Sequence, residues 1–424
     1  GGVMALPNST QAVSQLVSWC AREGVGIVPQ GGRTGLVGGG ISHPGEVIIA
    51  MNRMNAVEAI HADERTAVVQ AGATLQSLQE AAAADGLTTG IDLPSRGTAT
   101  IGGMVSTNAG GILAFRNGVM RHQVLGIEAV LPDGEIFSDL SRVVKVSAGP
   151  DLKHLFIGAE GAYGIVTRVV VKLESRRNER ATALIGVPSA QAALAVVAHF
   201  RARPDVLPEG AELMWTRFFR DATENFSFDA SWLEENTPAV LLLELSATSV
   251  DKAAAALEEG LEALWEPLAL SGGIVAQSLD QARKFWQLRE ESEFIYRFHP
   301  DAPSFDVSMP PGALDAYVAA LHERLAAVNP AYGVYVYGHI ADGNLHLSIT
   351  DAGDVTKEDK LKIEDAVYRG VTEAAGSFSA EHGVGMEKRH AYETFGNPAK
   401  RALARQIKTL LDPKGIFNPG KVPF

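Results

Sequence analysis

Two histidines on either side of a turn signal are the first residues in this sequence whose types and spacing could do chemistry. The stretch 334–350 reads VYVYGHIADGNLHLSIT, and Asp342-Gly343 is a dipeptide that closes two-residue β-hairpins, because both central residues of that turn need positive φ. Centring the turn there puts His339 directly opposite His346, and opposed side chains have Cβ atoms about 5 Å apart. The sequence therefore predicts a hairpin that holds two imidazoles side by side.

Two such imidazoles could bind a divalent metal ion, which usually takes a third ligand from elsewhere, most naturally a carboxylate. Glu381-His382, in a polar loop that contains glycine, places a carboxylate next to a further imidazole. Period-two alternation predicts an apolar core face and a polar site face for the hairpin. The polar face would carry Tyr335, Tyr337, His339, Asn344, His346 and Ser348. The alternative is an ordinary hairpin whose histidines are hydrogen-bonded.

Three glycine-rich segments are the second feature of the sequence that could bind a ligand. Residues 30–40 read QGGRTGLVGGG, residues 93–111 read LPSRGTATIGGMVSTNAGG, and a third cluster within 155–173 leads into a strand. Glycine permits positive φ and lets backbone N–H groups approach a ligand such as a phosphate closely. Residues 93–111 have few side chains for a core and are expected to form a second loop around the same ligand. A flexible surface loop is the alternative for residues 30–40. A Rossmann site is not indicated, because no G-x-G-x-x-G follows a strand and opens a helix, and the P-loop-like GIFNPGKV at 415–422 lacks the final Ser or Thr.

Composition limits the class of protein. The chain has 424 residues, 46% hydrophobic and 21% charged, which is enough for two or three domains with buried cores. A net charge of -13 argues against nucleic acid or an anionic membrane as the main partner. The single cysteine, Cys20, excludes an intrachain disulfide, and its helical context indicates a packing residue. No apolar run approaches the roughly 20 residues of a membrane span. Because the chain opens without Met, we expect a missing N-terminal segment, and a targeting signal is left open.

Periodicity and turn signals predict an alternation of strands and helices that positions these residues. The predicted helices cover 10–23, 75–85, 190–203, 250–264, 280–297, 311–327 and 357–375. The predicted strands cover 26–29, 46–51, 66–70, 123–131, 135–138, 183–187, 240–246 and 306–309, besides the hairpin. The charged run ESRRNERATA at 174–183 is the expected domain boundary.

Taken together, the three glycine-rich segments, HIADGNLH at 339–346 and SAEHGVG at 379–385 resemble one family. It is the FAD-dependent D-2-hydroxyacid dehydrogenases, which include D-lactate and D-2-hydroxyglutarate dehydrogenases and belong to the vanillyl-alcohol-oxidase-like flavoproteins. The resemblance covers nearly the whole chain and implies an α+β fold. Residues 1–175 would form a two-subdomain FAD-binding domain, residues 176–377 an α+β cap domain with an antiparallel sheet, and residues 378–424 a segment that returns to the FAD domain.

The resemblance implies that FAD is bound by the glycine-rich segments. Contacts are expected at Gln30, Gly31, Gly32, Arg33, Thr34, Gly35, Leu36, Pro94, Thr98, Gly102, Gly103, Ser106, Asn108, Gly111, Glu160, Gly161, Gly164, Ile165 and Asn418. Covalent members of the family tether the flavin through His or Cys, and residues 30–40 and 93–111 contain neither. Non-covalent binding is therefore expected, with His122 the only nearby candidate for a tether.

The resemblance also implies a divalent metal, zinc or manganese, with His339, His346 and Glu381 as its ligands. His382 would be the general base, and its alternative role is to support the neighbouring ligand. A metal can polarise a substrate hydroxyl whose pKa lies far above 7, which helps an imidazole to deprotonate it.

Arg289 matches the family's substrate-binding arginine, and Asn344 and Ser304 are further expected substrate contacts. A guanidinium can bind a carboxylate through two parallel hydrogen bonds. The alternative for Arg289 is a surface ion pair with Glu293, four residues later on the predicted helix.

Two positions depart from the family's pattern. Arg33 stands where relatives often carry Asn or Gly, and Ser304 stands where members commonly carry Lys. Without that lysine, we expect the protein to accept a bulkier or less acidic D-2-hydroxyacid as substrate, alongside or instead of D-2-hydroxyglutarate. This expectation holds unless Arg297 or His299 supplies the missing charge.

The expected reaction is oxidation of a small D-2-hydroxyacid, such as D-lactate, D-2-hydroxyglutarate or D-malate, to the 2-oxoacid, with hydride passing to flavin N5. The alternatives are a non-redox FAD-dependent transferase like alkyl-dihydroxyacetonephosphate synthase, and a flavoprotein subunit that only relays electrons. The expected electron acceptor is a quinone, a cytochrome or an electron-transfer flavoprotein. A cytoplasmic location is expected, with peripheral membrane attachment and a homodimer left open.

Overall fold

The computed structural model describes residues 2–177, 179–351, 353 and 355–423. The chain divides into two compact units, one formed by the residues up to Arg176 together with those from Glu381 onward, and the other by Arg177–Ala380. The sequence analysis predicted domain boundaries after residues 175 and 377. The first and last residues of the predicted domains, Gly1 and Phe424, lie outside the described part of the chain.

The first unit combines a small parallel sheet with a larger antiparallel one. Its elements are β1 (Met4–Ala5), α1 (Thr10–Glu23), β2 (Ile27–Gln30), β3 (Val47–Ala50), β4 (Val57–His61), β5 (Thr66–Gln70), α2 (Leu75–Ala83), β6 (Leu87–Thr89), α3 (Ile101–Thr107), α4 (Ala114–Asn117), α5 (Met120–Gln123), β7 (Val124–Val130), β8 (Ile136–Asp139) and β9 (Ile165–Ser175), with 3-10 turns at Met51–Arg53 and Leu152–Leu155. The parallel sheet has the order β1-β3-β2, and the antiparallel sheet has the order β4-β5-β9-β7-β8, with β6 pairing the end of β9.

The glycine-rich segments connect elements of this unit. Residues 31–40, the first loop, join β2 to β3; residues 93–111, the second segment, contain α3; and residues 158–165, the third loop, lead into β9. The core beneath them is aliphatic and includes Cys20 of α1, which is fully buried, and its burial raises the pKa of the thiol. Cys20 is therefore a packing residue.

The returning C-terminal segment completes the first unit. Its helices are Arg389–Phe395 and Pro398–Leu411. Phe417 forms a parallel bridge with Ile27 of β2, and the Asn418 N–H donates to the Ile27 carbonyl at 2.8 Å. Phe417 is fully buried in the same core, so this segment is an integral part of the first unit.

The second unit is a seven-stranded antiparallel sheet with helices on its faces. Its elements are β10 (Glu179–Val187), α6 (Ala190–Ala202), β11 (Leu207–Trp215), α7 (Thr216–Phe226), β12 (Ala239–Ala247), α8 (Val250–Trp265), β13 (Gly273–Val275), α9 (Leu279–Glu290), α10 (Phe294–Phe298), β14 (Ser304–Ser308), a 3-10 turn (Pro311–Ala313), α11 (Leu314–Val328), β15 (Gly333–His339), β16 (Asn344–Thr350) and α12 (Lys357–Glu373). The strand order is β13-β10-β12-β11-β15-β16-β14. The three strands that end this order carry the predicted histidine site.

One prediction of secondary structure was wrong in this unit, and some elements were not predicted. The helix predicted over 280–297 is interrupted, because α9 ends at Glu290 and α10 starts at Phe294. Strand β11 was not predicted, since Pro208 and Gly210 disfavour a strand and the structure accommodates them in an irregularity of the ladder. Among the described residues, no helix is both long enough and apolar enough to cross a bilayer.

Candidate active site

The first loop presents backbone donors. A Cβ on Gly31 would lie 2.2 Å from Thr100 Oγ1, and a Cβ on Gly32 would lie 1.9 Å from the Thr98 carbonyl oxygen, so this close approach to the second segment requires glycine. In the part of the chain that the structure describes, the backbone N–H groups of residues 32–37 donate to no protein acceptor, and most of these residues are exposed. Unpaired N–H groups of this kind fit a phosphate group.

The second segment is only partly a loop. Thr100 caps α3 by accepting a hydrogen bond from the Gly103 N–H. Because a Cβ added at Gly102 would lie 2.5 Å from the Ala71 Cβ, which is too close, glycine at this position lets the helix lie against Ala71. The prediction of continuous loop was therefore wrong at Ile101–Thr107, because a threonine cap starts a helix there.

Side chains of the second segment support its own shape. Ser106 Oγ donates to the Gly102 carbonyl at 2.8 Å, and Asn108 Oδ1 accepts from the Arg121 N–H at 3.0 Å. Asn108 has φ 55° at the end of α3, a left-handed conformation that asparagine tolerates. Of the other expected contacts, Pro94 and Thr98 are exposed.

The third loop is tied to the returning segment by two of the predicted flavin residues. The Glu160 carboxylate accepts hydrogen bonds from the N–H groups of Val384 at 2.7 Å and Gly385 at 3.0 Å. Burial raises the pKa of Glu160, although these backbone donors act in the opposite direction. Asn418 Nδ2 donates to the carbonyls of Gly39 at 2.9 Å and Glu160 at 2.8 Å. Glu160 and Asn418 thus hold the first and third loops together.

The remaining expected flavin positions fit the same packed region. A Cβ on Gly161 would lie 2.5 Å from Pro29 Cγ, and one on Gly164 would lie 2.8 Å from the Phe156 ring. Gln30 Nε2 donates to the Gly40 carbonyl at 2.7 Å, closing the first loop on itself. Ile165 is buried at the start of β9.

Glu381 lies beside the second segment within the first unit. Its Oε1 accepts a hydrogen bond from the Gly111 N–H at 2.8 Å. Gly111 has φ 92°, and an added Cβ would lie 2.1 Å from the Asp92 carbonyl oxygen, so glycine is required where the donor turns toward the carboxylate. His382, the next residue, is half-buried.

The hairpin of the second unit is present, but its predicted register was wrong. His346 pairs with Tyr337 instead of His339, and strands β15 and β16 are joined by four residues. Gly343 has φ 78° whereas Asp342 has no positive φ, and the Gly343 carbonyl accepts from the Met309 N–H at 3.1 Å. The longer turn shifts the pairing by two positions, and an even shift leaves both histidines on the predicted face.

The predicted polar face is also partly core. Tyr335 and Tyr337 are buried in an aromatic cluster, in which the Tyr337 ring stacks on Phe218 at 4.1 Å between centroids. His339, Asn344 and His346, at the turn end of the hairpin, lie outside this cluster. Helices α7 and α10 cover the face near the start of β15.

The two histidines lie together at that end, and each has a carboxylate near Nδ1. Their ring centroids are 5.4 Å apart. His339 Nδ1 is 2.7 Å from Glu212 Oε1, and His346 Nδ1 is 3.9 Å from Asp306 Oδ1. Charge interaction with His339 and Arg289 lowers the pKa of Glu212, outweighing a burial that alone would raise it.

This donor set fits a divalent metal. An ionised Glu212 accepts from Nδ1–H of His339, which places the lone pair of that imidazole on Nε2, the nitrogen that a metal would take. A carboxylate behind a ligating imidazole is the usual arrangement at metal sites, because it fixes the ring and raises its basicity.

Arg289 on α9 faces the same carboxylate. It is only 6% exposed, and its Nε lies 2.8 Å from Glu212 Oε2 while its guanidinium sits 4.9 Å from the centroid of the Tyr337 ring. The alternative of a surface ion pair with Glu293 does not hold, since Arg289 is buried and its ion pair is with Glu212. Nε and Nη2 are buried without an aligned hydrogen bond to any described residue. The guanidinium is thus held in place by Glu212, with Nη2 left to donate to an anion.

The two other predicted substrate residues lie on the neighbouring strands. Asn344 is buried, and its Nδ2 donates to Asp306 Oδ1 and to the Val307 carbonyl, both at 2.9 Å. Ser304, at the exposed start of β14, has its Oγ 2.9 Å from the Tyr296 hydroxyl and 3.2 Å from Ser348 Oγ.

The two side chains that could have supplied a further positive charge have partners in this unit. Arg297 Nη2 donates to Asn225 Oδ1, and His299 Nδ1 lies 3.8 Å from Asp351 Oδ1. The contacts of Ser304 are with the hydroxyl groups of Tyr296 and Ser348, whereas Arg297 and His299 contact Asn225 and Asp351.

Sequence reasoning missed Glu212 and Asp306. Glu212 was missed because β11 was missed, although a charged residue between Ala211 and Leu213 in an otherwise apolar run was a usable signal. Asp306 lay in a predicted strand but was given no role, and its position opposite His346 follows only from the pairing of β14 with β16.

Comparison with known proteins shows the family to which the chain belongs. Residues 176–422 match the family "FAD linked oxidases, C-terminal domain", and residues 2–139 match the family "FAD binding domain". The chain is 34% identical to a protein named D-2-hydroxyglutarate dehydrogenase from Xanthomonas citri pv. viticola, over 99% of this chain and 88% of the relative. It is 33% identical to the mitochondrial D-2-hydroxyglutarate dehydrogenase of Arabidopsis thaliana, over 99% of this chain and 74% of the relative.

Solved structures show the same fold at lower identity. An alkyldihydroxyacetonephosphate synthase aligns with a TM-score of 0.71 at 17% identity, over 98% of this chain and 75% of that one. The 4-ethylphenol oxidase of Gulosibacter chungangensis aligns with a TM-score of 0.71 at 19% identity, over 99% of this chain and 88% of that one. The predicted α+β fold of the vanillyl-alcohol-oxidase type is therefore confirmed.

Proposed function

Because the chain belongs to the FAD-linked oxidases and is an FAD-dependent dehydrogenase, we propose that it oxidises a small D-2-hydroxyacid to the corresponding 2-oxoacid. Relatives that match the full chain are named D-2-hydroxyglutarate dehydrogenases, which supports this class of donor. D-lactate, D-2-hydroxyglutarate and D-malate are the donors to compare.

The burial of Arg289, together with its donor that lacks a partner, is the main support for this proposal. Arg289 is buried, its Nε faces Glu212, and its Nη2 has no hydrogen-bond partner among the described residues. A buried charged donor without a partner carries its full desolvation penalty, which an anion bound at Nη2 would remove. The carboxylate of a 2-hydroxyacid is such an anion, and a guanidinium can bind it through two parallel hydrogen bonds.

The flavin would be held by the first loop, the second segment and the third loop. The unpaired N–H groups of residues 32–37 would bind its pyrophosphate, and Glu160 and Asn418 would keep the loops in position through the hydrogen bonds described above. When bound, FAD supplies the acceptor for the hydride that leaves C2. We propose non-covalent binding, since the expected contact segments contain neither His nor Cys.

His339, His346 and Glu381 would hold a divalent ion, zinc or manganese. Support comes from the carboxylate partners of the two imidazoles and from the Gly111 N–H that orients the Glu381 carboxylate. Such an ion supplies polarisation of the donor's hydroxyl group.

His382 would accept the hydroxyl proton. An imidazole can accept this proton and release it to solvent after the reaction. Asn344 and Ser304 would complete the binding of the donor, with Ser304 contributing a neutral hydroxyl group.

An assay with an artificial electron-accepting dye and a panel of D- and L-hydroxyacids tests this function. Turnover with D-2-hydroxyacids and none with their L-enantiomers is expected. Failure of every acid to reduce the dye would favour one of the two alternatives, a non-redox transferase or an electron-relay subunit. Once a donor is found, replacing the dye with a quinone, a cytochrome or an electron-transfer flavoprotein identifies the acceptor.

A further inference from the structure

Glu212 connects the two groups to which the proposed function gives separate tasks. Its Oε1 lies 2.7 Å from His339 Nδ1 and its Oε2 lies 2.8 Å from Arg289 Nε. The residue is 1% exposed on β11, directly opposite His339 in the pairing of β11 with β15. Each oxygen of one carboxylate therefore faces one functional side chain.

The backbone makes this carboxylate a rigid support. Glu212 pairs with Leu242 of β12 on one side and with His339 of β15 on the other, so its strand is held from both edges. Arg289, in contrast, is the second-last residue of α9, which ends at Glu290. The orientation of the arginine thus depends on the Glu212 ion pair and on the Tyr337 ring beneath the guanidinium.

We propose that Glu212 is a positioning residue that orients His339 and Arg289 together, so that binding of the metal and binding of the hydroxyacid carboxylate depend on the same side chain. The proposal rests on the proposed function, because that function assigns His339 to the metal and Arg289 to the donor. Glu212 itself touches neither the donor nor the flavin in this account. It acts by fixing the orientation of the His339 imidazole and of the Arg289 guanidinium.

Removal of the charge should therefore affect two properties at once. With glutamine at position 212, the amide is a weaker acceptor for His339 Nδ1–H, and its NH2 group or neutral oxygen no longer compensates the buried Arg289 cation. Metal affinity and donor affinity should both fall, while FAD binding, which belongs to the first unit, should not change.

The test compares Glu212→Gln with Glu209→Gln. Glu209 is a matched control because it is a buried carboxylate on the same strand, with its Oε1 accepting from Ser246 Oγ at 2.6 Å. Zinc dissociation constants are measured by competition with a chromophoric chelator. The donor dissociation constant and the limiting rate of flavin reduction are measured separately by rapid mixing with the best D-2-hydroxyacid at saturating zinc.

For Glu212→Gln we expect zinc to bind about 10- to 100-fold more weakly, which is the usual effect of removing a carboxylate behind a ligating histidine. The donor dissociation constant should rise at least about fivefold, more than the limiting rate falls, because ground-state binding by Arg289 is what is lost. FAD content should equal that of the unmodified protein, and Glu209→Gln should change each quantity less than about twofold.

The proposal is overturned if Glu212→Gln matches Glu209→Gln in both affinities, or if only one of the two affinities falls. Failure of the proposed function is distinguishable, since then the unmodified protein itself would bind no zinc or would not be reduced by any D-2-hydroxyacid. If Glu212→Gln does not fold, Arg289→Met combined with Glu212→Gln removes the uncompensated cation. That variant should still bind zinc about tenfold more weakly than Arg289→Met alone, and equal zinc affinities would overturn the proposal.

Discussion

Arg289 forms a buried ion pair and still has an N–H donor that could bind a ligand. Its pairing with Glu212 offsets the charge, but Nε and Nη2 make no aligned hydrogen bond to a described residue. A lysine at this position could keep the charge but would lose the planar fork that binds a carboxylate through two parallel hydrogen bonds. Arg289→Lys should raise KM for the hydroxyacid by an amount corresponding to roughly 1.5–3 kcal/mol, or about 10- to 150-fold.

Steady-state kinetics with D-2-hydroxyacids measure this effect, and Arg283→Lys is the control. Arg283 lies on the same helix with its side chain 77% exposed, near Asp280, and its replacement should leave KM unchanged. An Arg289→Lys enzyme with unaltered kcat/KM for every acid would show that the donor's carboxylate is bound elsewhere.

Ser304 belongs to a chain of hydroxyl groups with Tyr296 and Ser348. A lysine there would bring a positive charge to an exposed position, and a dicarboxylate donor would gain more from it than a monocarboxylate donor. Ser304→Lys should therefore raise kcat/KM for D-2-hydroxyglutarate relative to D-lactate. The measurement is the ratio of the two specificity constants, and an unchanged ratio would mean that Ser304 does not face the donor.

The first loop approaches the second segment so closely that only glycine fits at their contact. Gly32→Ala would place a Cβ 1.9 Å from the Thr98 carbonyl oxygen, so the backbone must move and the N–H groups lose their alignment. FAD affinity should fall about tenfold or more, since several charge-assisted hydrogen bonds weaken together. Gly40→Ala is the matched change in the same loop, where a Cβ would meet only Gln30 Cγ at 4.0 Å. Equal FAD dissociation constants for the two variants would argue against this loop as a flavin contact.

The sequence was sufficient for elements with clear periodicity and insufficient where tertiary contacts decide. Helix α1 begins at Thr10 after the Ser9 cap and ends at Glu23, as predicted, because a serine cap and one apolar stripe define it locally. The hairpin register was wrong by two residues because Gly343 packs against the Met309 backbone, a contact that dipeptide statistics do not contain.

The candidate site shows the same division between local and non-local information. His339 and His346 could be placed on one face from alternation alone. The partners of Glu212 and Asp306 could not be assigned from the sequence, because each lies next to its histidine only through pairing between strands distant in sequence. Arg289 was placed on the correct helix, yet its burial and its partner required the structure.

For the complete protein we expect two separable binding functions, one for the flavin and one for the metal. Treatment with a chelator should abolish turnover while FAD stays bound, because the flavin segments and the histidine pair are built from different residues. Zinc, manganese or cobalt should restore turnover, as all three bind imidazole and carboxylate ligands. Full activity in protein shown by elemental analysis to lack metal would contradict the metal proposal.

Hydride transfer from a D-2-hydroxyacid to the flavin is the reaction that we propose for this FAD-dependent dehydrogenase. Anaerobic mixing of the purified, metal-loaded protein with D-lactate, D-malate and D-2-hydroxyglutarate, each beside its L-enantiomer, tests it directly through the flavin absorbance near 450 nm. We predict that at least one D-acid bleaches the flavin with formation of one equivalent of 2-oxoacid, and that the L-acids leave it oxidised. Persistence of the oxidised spectrum with every D-acid, or bleaching by the L-acids alone, would contradict the account.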